Sequence, residues 1–180
     1  MTLDILNNLI MLVAYLILGY TLYKSDKNGI LFGSIAFNVL MAYYFFAVGS
    51  LVATISCIVA IIRSYYFKRN ERKQIKNTLA SLIFFSAVVV VFVTLTYEDF
   101  ASLFIGVLSL TGTFIFWFNG TEKLDSATVI KFGSPIISLS FILYAFFIGS
   151  WLMIPLESIL LLGGTFGGFK WIKKDNLNQE

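Results

Sequence analysis

The sequence predicts an all-α integral membrane protein in which seven helices cross the bilayer as two parallel three-helix repeats joined by a linker helix. Three observations carry this prediction: an apolar composition, apolar stretches of membrane-spanning length, and a one-sided distribution of basic residues. Of the 180 residues, 58% are hydrophobic and only 13% are charged, whereas a soluble domain carries about 25% charged residues. Such a chain cannot cover a water-facing surface of ordinary size.

Short polar segments divide the apolar sequence into seven predicted spans, each of which needs about 20 residues to cross the hydrocarbon. The stretches 29–67 and 127–171 are too long for one span, since a straight helix of about 40 residues would run roughly 60 Å. Each must fold back, and the pairs Gly49-Ser50 and Gly149-Ser150 are the natural hairpin points. The remaining spans are predicted at 5–23, 78–96 and 100–118.

The basic residues predict the orientation, because cytoplasmic loops retain Lys and Arg. All 13 lie in the segments 24–28, 68–77 and 119–126, in the C-terminal tail, or within a few residues of a predicted cytoplasmic helix end. We therefore expect the N-terminus outside and the C-terminus in the cytoplasm. Because topology explains these short clusters, the expected partner is the lipid bilayer and not nucleic acid.

Residues 31–50 and 131–150 align without a gap and indicate an internal duplication. Seven of 20 positions are identical, including Phe-Gly-Ser at 32–34 and 132–134 and both Gly-Ser hairpin pairs. Spans one to three and five to seven then form equivalent units. Span four gives the second unit the same orientation in the membrane as the first, as in the parallel repeats of SWEET-type transporters. The predicted division is 1–69 for the first repeat, 70–98 for the linker with helix four, 99–174 for the second repeat, and 175–180 for a polar tail.

Two stretches resemble the YgjV family of bacterial inner-membrane proteins. One is 49–63, and the other is 149–158, which contains the run Met-Ile-Pro-Leu-Glu-Ser. The family pattern has a glutamate at the position of Glu157 and basic residues at those of Arg63 and Lys170. The resemblance implies an inner-membrane location and kinship with the SWEET and PQ-loop class, but no assigned activity.

The sequence departs from the PQ-loop pattern at its defining feature. The Pro-Gln pair is missing, because Pro135 and Pro155 are followed by Ile and Leu. A specificity for sugars or amino acids therefore does not carry over by analogy.

Glu157 is the main candidate for a functional residue. It lies eight residues past the Gly149 turn, roughly 12 Å down span seven at helical rise. An ionisable residue at that depth is costly and is a functional candidate by default. We hypothesise that it binds a cationic or polar solute, or takes up a proton coupled to transport. The alternative is a structural carboxyl that bonds to a neighbouring serine or the backbone, or that pairs with Arg63.

Four further polar residues stand out near or within the predicted spans. Arg63, a second binding candidate, and Lys131 lie near cytoplasmic ends, where long side chains are expected to snorkel to the interface. Asn38 and its repeat mate Ser138 would line a path between the repeats as a polar pair, although ordinary interhelical hydrogen bonding explains them equally well. Cys57 is the repeat mate of Glu157 and is expected to pack in the interior.

The glycines of span seven form two overlapping small-xxx-small patterns, which predict close helix packing. A flexible inner gate is the alternative. The same pattern permits a homodimer without requiring one. The glycines concerned are Gly163, Gly164, Gly167 and Gly168.

The sequence favours transport over catalysis. It contains no histidine, no paired intramembrane carboxylates, and no serine with an evident base, so we expect neither an enzyme nor a cofactor or metal. The preferred interpretation is a small-solute transporter that rocks one repeat against the other around a midplane site. The alternative is a non-transporting membrane component, such as a subunit, a sensor or a resistance protein.

Overall fold

The computed structural model describes residues 2–24, 27–97, 100–118, 126–148 and 151–177. Within these ranges the chain forms seven helices and no strand, so the all-α prediction is confirmed. The helices are α1 (Thr2–Lys24), α2 (Lys27–Ala47), α3 (Leu51–Arg72), α4 (Leu79–Leu95), α5 (Phe100–Phe118), α6 (Ser126–Ile148) and α7 (Met153–Leu177).

The predicted hairpin between α2 and α3 lies at Gly49-Ser50, as expected. Gly49 has a φ of +82°, a conformation that glycine adopts without steric cost. The amide of Gly49 donates to the carbonyl of Phe46 at 3.1 Å, and that of Ser50 donates to the carbonyl of Phe45 at 2.9 Å. This pair of bonds is the Schellman motif, which satisfies the last carbonyls of α2. The second predicted hairpin, Gly149-Ser150, lies outside the described residues.

The surface of the helix bundle is apolar, which is the reverse of a soluble protein. Large side chains such as Leu95, Phe100 and Trp151 are 70–79% exposed, while Arg63 and Glu157 are buried. Exposed apolar surface on this scale marks contact with lipid.

Three of the helices are long and apolar enough to cross a membrane, namely within Ile5–Tyr23, Asn28–Ala47 and Leu51–Asn70. Among the described residues, the apolar segments Leu79–Leu95, Leu103–Phe118 and Gly133–Leu143 are shorter. Crossing by α1, α2 and α3 thus agrees with the sequence. Crossing by all seven helices stays a prediction.

Six of the helices close a ring. α1 packs against α2 and α7, α2 against α3, α3 against α5, α5 against α6, and α6 against α7. α4 packs against α3 and α5, where it buries Val89, Phe92 and Val93. A second apolar cluster joins α1 and α2 to α6 and α7.

The glycines of α7 let this helix lie close to its two neighbours. A Cβ at Gly163 would lie 3.1 Å from the carbonyl oxygen of Gly19, and one at Gly167 would lie 2.5 Å from that of Leu22, both on α1. On the α6 side, a Cβ at Gly164 would approach the backbone to 3.0 Å. The predicted close packing is confirmed at these three positions. Since they face helices of the same chain, they provide no surface for a homodimer, which stays a prediction.

The connection between α3 and α4 is tied to the end of α5. The side-chain amide of Asn77 donates to the carbonyl of Trp117 at 3.2 Å and accepts from Asn70 at 3.2 Å. In return, Nε1 of Trp117 donates to the carbonyl of Thr78 at 2.9 Å. These bonds hold the C-terminal ends of α3 and α5 together.

Candidate functional site

A cavity of about 170 Å³ lies inside the ring, lined by residues of α1, α2, α3, α5, α6 and α7. Its wall is mostly apolar and aromatic. The structure brings the four predicted candidate residues to this one cavity, although they are distant in sequence. They are Asn38, Arg63, Ser138 and Glu157.

Glu157 lies near the start of α7 and is 2% exposed. The hydroxyl of Tyr15 on α1 donates a 2.5 Å hydrogen bond to its Oε1. The hydroxyl of Ser138 on α6 lies beside the same carboxyl. Nevertheless, Oε2 is buried and has no hydrogen-bond partner of good geometry among the described residues.

Arg63 lies on α3 and is 5% exposed. Its Nη1 donates to the carbonyl of Ser109 at 3.0 Å and to the hydroxyl of Thr113 at 2.8 Å, both on α5. Its Cζ lies 5.1 Å from the ring centroid of Phe116. Nε is buried and, within the described part of the chain, has no partner.

The prediction that Arg63 snorkels to the membrane interface is wrong. Carbonyl and hydroxyl oxygens on α5, together with the ring of Phe116, replace water around the guanidinium, so the side chain remains in the interior. The suggested pairing with Glu157 is also absent, because the polar contacts of Arg63 go to α5 and those of Glu157 go to Tyr15 and Ser138.

The other cationic residues differ from Arg63. Lys131 is 1% exposed, so the expectation that it reaches the interface is wrong as well, but it does not line the cavity. Lys170 is exposed, and its Nζ lies 4.8 Å from the ring centroid of Tyr23, within the range of a cation–π interaction.

Asn38 and Ser138 lie on α2 and α6 and both face the cavity. The amide of Asn38 donates to the carbonyl of Ser34 at 2.7 Å, one turn earlier on its own helix. Ser138 is 2% exposed. Their shared location agrees with a polar pair between the two halves, while a role in binding stays a prediction.

The wall of the cavity is built from matched positions. Eight residues of α2 and α3 have a counterpart 100 positions later, on α6 or α7, that lines the same cavity. The pairs are Ile30 and Ile130, Ser34 and Ser134, Phe37 and Ile137, Asn38 and Ser138, Met41 and Phe141, Ala53 and Met153, Cys57 and Glu157, and Ala60 and Leu160.

The remaining two helices, α1 and α5, show the same relation with an offset of 90 positions. Three residues of α1 and their counterparts on α5 all line the cavity. The pairs are Tyr15 and Ile105, Leu18 and Leu108, and Leu22 and Gly112.

Sequence reasoning missed several residues of the site. Tyr15 carried a usable signal, because it lies in the middle of the first span and not at an interface, where tyrosine is enriched. Ser34 stands in the repeated Phe-Gly-Ser motif. Thr113 gave no signal, since hydroxyls in membrane helices commonly bond to their own backbone, and it does donate to the carbonyl of Ser109 at 2.8 Å.

Comparison with known proteins agrees with a membrane location. A family model described as a bacterial inner membrane protein matches residues 5–175. No curated protein and no solved structure matches the chain. Together with the apolar helices, the match indicates a multi-pass protein of the inner membrane whose helices contact lipid.

Proposed function

We propose that this chain, which belongs to the Imp-YgjV family of bacterial inner membrane proteins, transports a small polar solute that binds in the central cavity. The observation that carries the proposal is the presence of an acidic and a cationic side chain, Glu157 and Arg63, in the wall of one largely apolar cavity. Burying ionisable groups without pairing them lowers stability. A role in binding explains this cost better than a structural role does.

The proposed architecture has seven membrane crossings and two parallel repeats, with the N-terminus outside and the C-terminus in the cytoplasm. The matched cavity positions support the duplication. So do the packing partners of two equivalent glycines, since Gly33 of α2 packs against α1 and Gly133 of α6 packs against α5. Kinship with SWEET-type transporters and the division at residues 69, 98 and 174 belong to the same proposal.

Rocking of one repeat against the other would change the contacts between them, chiefly those of α1 with α7 and of α3 with α5. At the first contact, Gly163 lies against the carbonyl of Gly19. At the second, Arg63 donates to the carbonyl of Ser109. Because Arg63 belongs to both the cavity and this contact, a solute that binds its guanidinium would change the interactions of the residue that holds α3 to α5. Such a differential contact is what solute-driven movement requires.

The experiment is solute accumulation by the full-length protein in sealed lipid vesicles. The vesicles are incubated with a defined mixture of small polar metabolites and washed, and their contents are measured by mass spectrometry. We expect at least one solute to accumulate above the level in protein-free vesicles. We also expect Glu157→Gln to reduce this accumulation at least tenfold.

A matched control is Ser158→Ala. Ser158 is the next residue on α7, does not line the cavity, and donates to the carbonyl of Ile154 within its own helix at 2.8 Å, so the variant should accumulate solute as the wild type does. If no solute accumulates, the alternative of a non-transporting subunit, sensor or resistance protein is favoured. If a solute accumulates and Glu157→Gln has no effect, the proposed role of Glu157 in binding is wrong. The proposed activity is not enzymatic.

A further inference from the structure

We infer that the cavity binds a small zwitterion of the amino-acid type, with its carboxylate at Arg63 and its ammonium group at Glu157. The inference rests on the proposed function for the identity of the site, and it specifies the class of solute. It is tested by binding, so that it can fail or succeed independently of transport.

Arg63 provides the anion-binding end. Its guanidinium is always charged and offers five N–H donors, yet its partners on α5 are the neutral oxygens of Ser109 and Thr113. Nε is buried without a partner among the described residues. A guanidinium binds a carboxylate through two parallel N–H donors, and a solute carboxylate would supply the missing acceptor and the missing negative charge.

Glu157 provides the cation-binding end. Oε1 accepts the hydrogen bond from Tyr15, which holds the carboxyl in one orientation. The second oxygen, Oε2, is buried and unpartnered in the described structure, and the whole residue is 2% exposed. An ammonium group would donate to this oxygen and offset its charge.

The two groups complement a neutral solute that carries both charges. Arg63 and Glu157 line the same cavity, but their polar contacts go to different helices and not to each other. A zwitterion brings no net charge into the apolar cavity, whereas a lone anion or cation would leave one of the two protein charges uncompensated.

The site also determines which way round the solute lies. The counterpart of Glu157, 100 positions earlier, is Cys57. The counterpart of Arg63, 100 positions later, is Gly163. The cavity therefore has one cationic and one anionic side despite its matched apolar wall. A zwitterion can satisfy both sides in only one direction.

The size of the cavity sets an upper limit on the solute. A volume of about 170 Å³ is close to the roughly 150 Å³ of an engineered cavity that holds benzene, so a solute of roughly six to ten non-hydrogen atoms fits. Short α- and ω-amino acids are in this range. Disaccharides and all but the smallest dipeptides exceed it.

The experiment is titration calorimetry on the purified full-length protein with compounds of increasing charge separation. The zwitterions are glycine, L-alanine, L-valine, β-alanine, 4-aminobutyrate and 5-aminovalerate. Each is compared with the alkyl carboxylate and the alkylamine of the same carbon skeleton. We expect at least one amino acid to bind tenfold or more tightly than both of its single-charged counterparts. Equal binding by a counterpart, or binding by no amino acid, would overturn the inference.

Two variants assign the ends of the solute. Glu157→Gln should weaken binding of the amino acid at least tenfold and leave that of the matched carboxylate unchanged. Arg63→Gln should weaken binding of both the amino acid and the matched carboxylate. An equal effect of Glu157→Gln on the two ligands would contradict the assignment, and the wild-type series remains decisive if either variant fails to fold.

The two proposals fail in different ways. An amino acid that binds but does not accumulate in vesicles would overturn the transport function and support the solute class. Accumulation of a single-charged or uncharged solute, with no binding by any amino acid, would support transport and overturn the solute class.

Discussion

The hydroxyl of Tyr15 donates a 2.5 Å hydrogen bond to Oε1 of Glu157 and thereby joins the first helix to the last across 142 positions. Both side chains are almost completely buried. This bond orients the carboxyl toward the cavity and closes the ring of helices on the α1 and α7 side. The bond therefore contributes both to the geometry of the cavity and to the packing of α1 against α7.

Removing the hydroxyl in Tyr15→Phe should lower the free energy of unfolding by about 1–2 kcal/mol. Hydrogen bonds between membrane helices average about 0.6 kcal/mol with a maximum near 1.7, and a bond to a carboxylate falls at the upper end of such ranges. The measurement is equilibrium unfolding in mixed micelles. Tyr43→Phe is the control, because Tyr43 is 49% exposed, and it should change stability little.

A double-mutant cycle tests whether this effect passes through the carboxyl. If it does, Tyr15→Phe in a Glu157→Gln background should cost clearly less than it does in the wild type. Additive costs for the two substitutions would mean that the hydroxyl acts elsewhere.

The close crossing of α1 and α7 predicts that Gly167→Ala destabilises the bundle. The new Cβ would lie 2.5 Å from the carbonyl oxygen of Leu22, which is backbone and cannot turn aside, so the helices must separate. Overpacking of this kind costs about 1–3 kcal/mol, measured as a loss of unfolding free energy.

The matched control at the same crossing is Gly19→Ala. Its Cβ would meet side-chain atoms of Ile159 and Leu160 at 3.2 and 3.6 Å. Because these side chains can shift, the cost should be clearly smaller than for Gly167→Ala. Similar costs at the two positions would argue against a rigid backbone contact.

The bonds of Asn77 predict that Asn77→Ala loosens the connection between α3 and α4. The substitution leaves the amide of Asn70 and the carbonyl of Trp117 without their partner, at a cost of about 1 kcal/mol. Hydrogen exchange should become faster in residues 73–78, while the amides of α1 keep their protection. Thr94→Ala is the control, since the exposed Thr94 hydroxyl bonds only within its own helix.

The proposed orientation predicts which side of the membrane each loop faces. The single cysteine, Cys57, is buried, so Cys57→Ala provides a background for labelling with a membrane-impermeant maleimide. In intact spheroplasts, Tyr97→Cys should be labelled, whereas Lys73→Cys should react only after the membrane is opened. The reverse pattern would invert the proposed topology.

The helices were predictable because their signals are local. The predicted spans at 78–96 and 100–118 match α4 and α5 to within one residue at each end, since short polar segments bound each apolar stretch. The Gly49-Ser50 hairpin was predictable for the same reason, as glycine adopts the positive φ that the turn requires.

The site was predictable only in part. Glu157 and Asn38 stood out by residue type in an apolar context, and the structure brings both to the cavity. The behaviour of Arg63 was not predictable, because the oxygens that hold it inside lie 46 and 50 positions away on α5. Nothing near Arg63 in sequence indicates those partners.

The sequence by itself determined that this protein is a set of apolar helices, where they begin and end, and which polar residues lie within them. Those properties follow from the transfer of side chains into lipid, which depends on each segment alone. Only the tertiary structure decided that α1 and α7 close the ring, that Tyr15 bonds to Glu157, and that Arg63 turns inward. These depend on packing between segments distant along the chain, where the approach of two backbones and the geometry of single hydrogen bonds decide which polar groups meet.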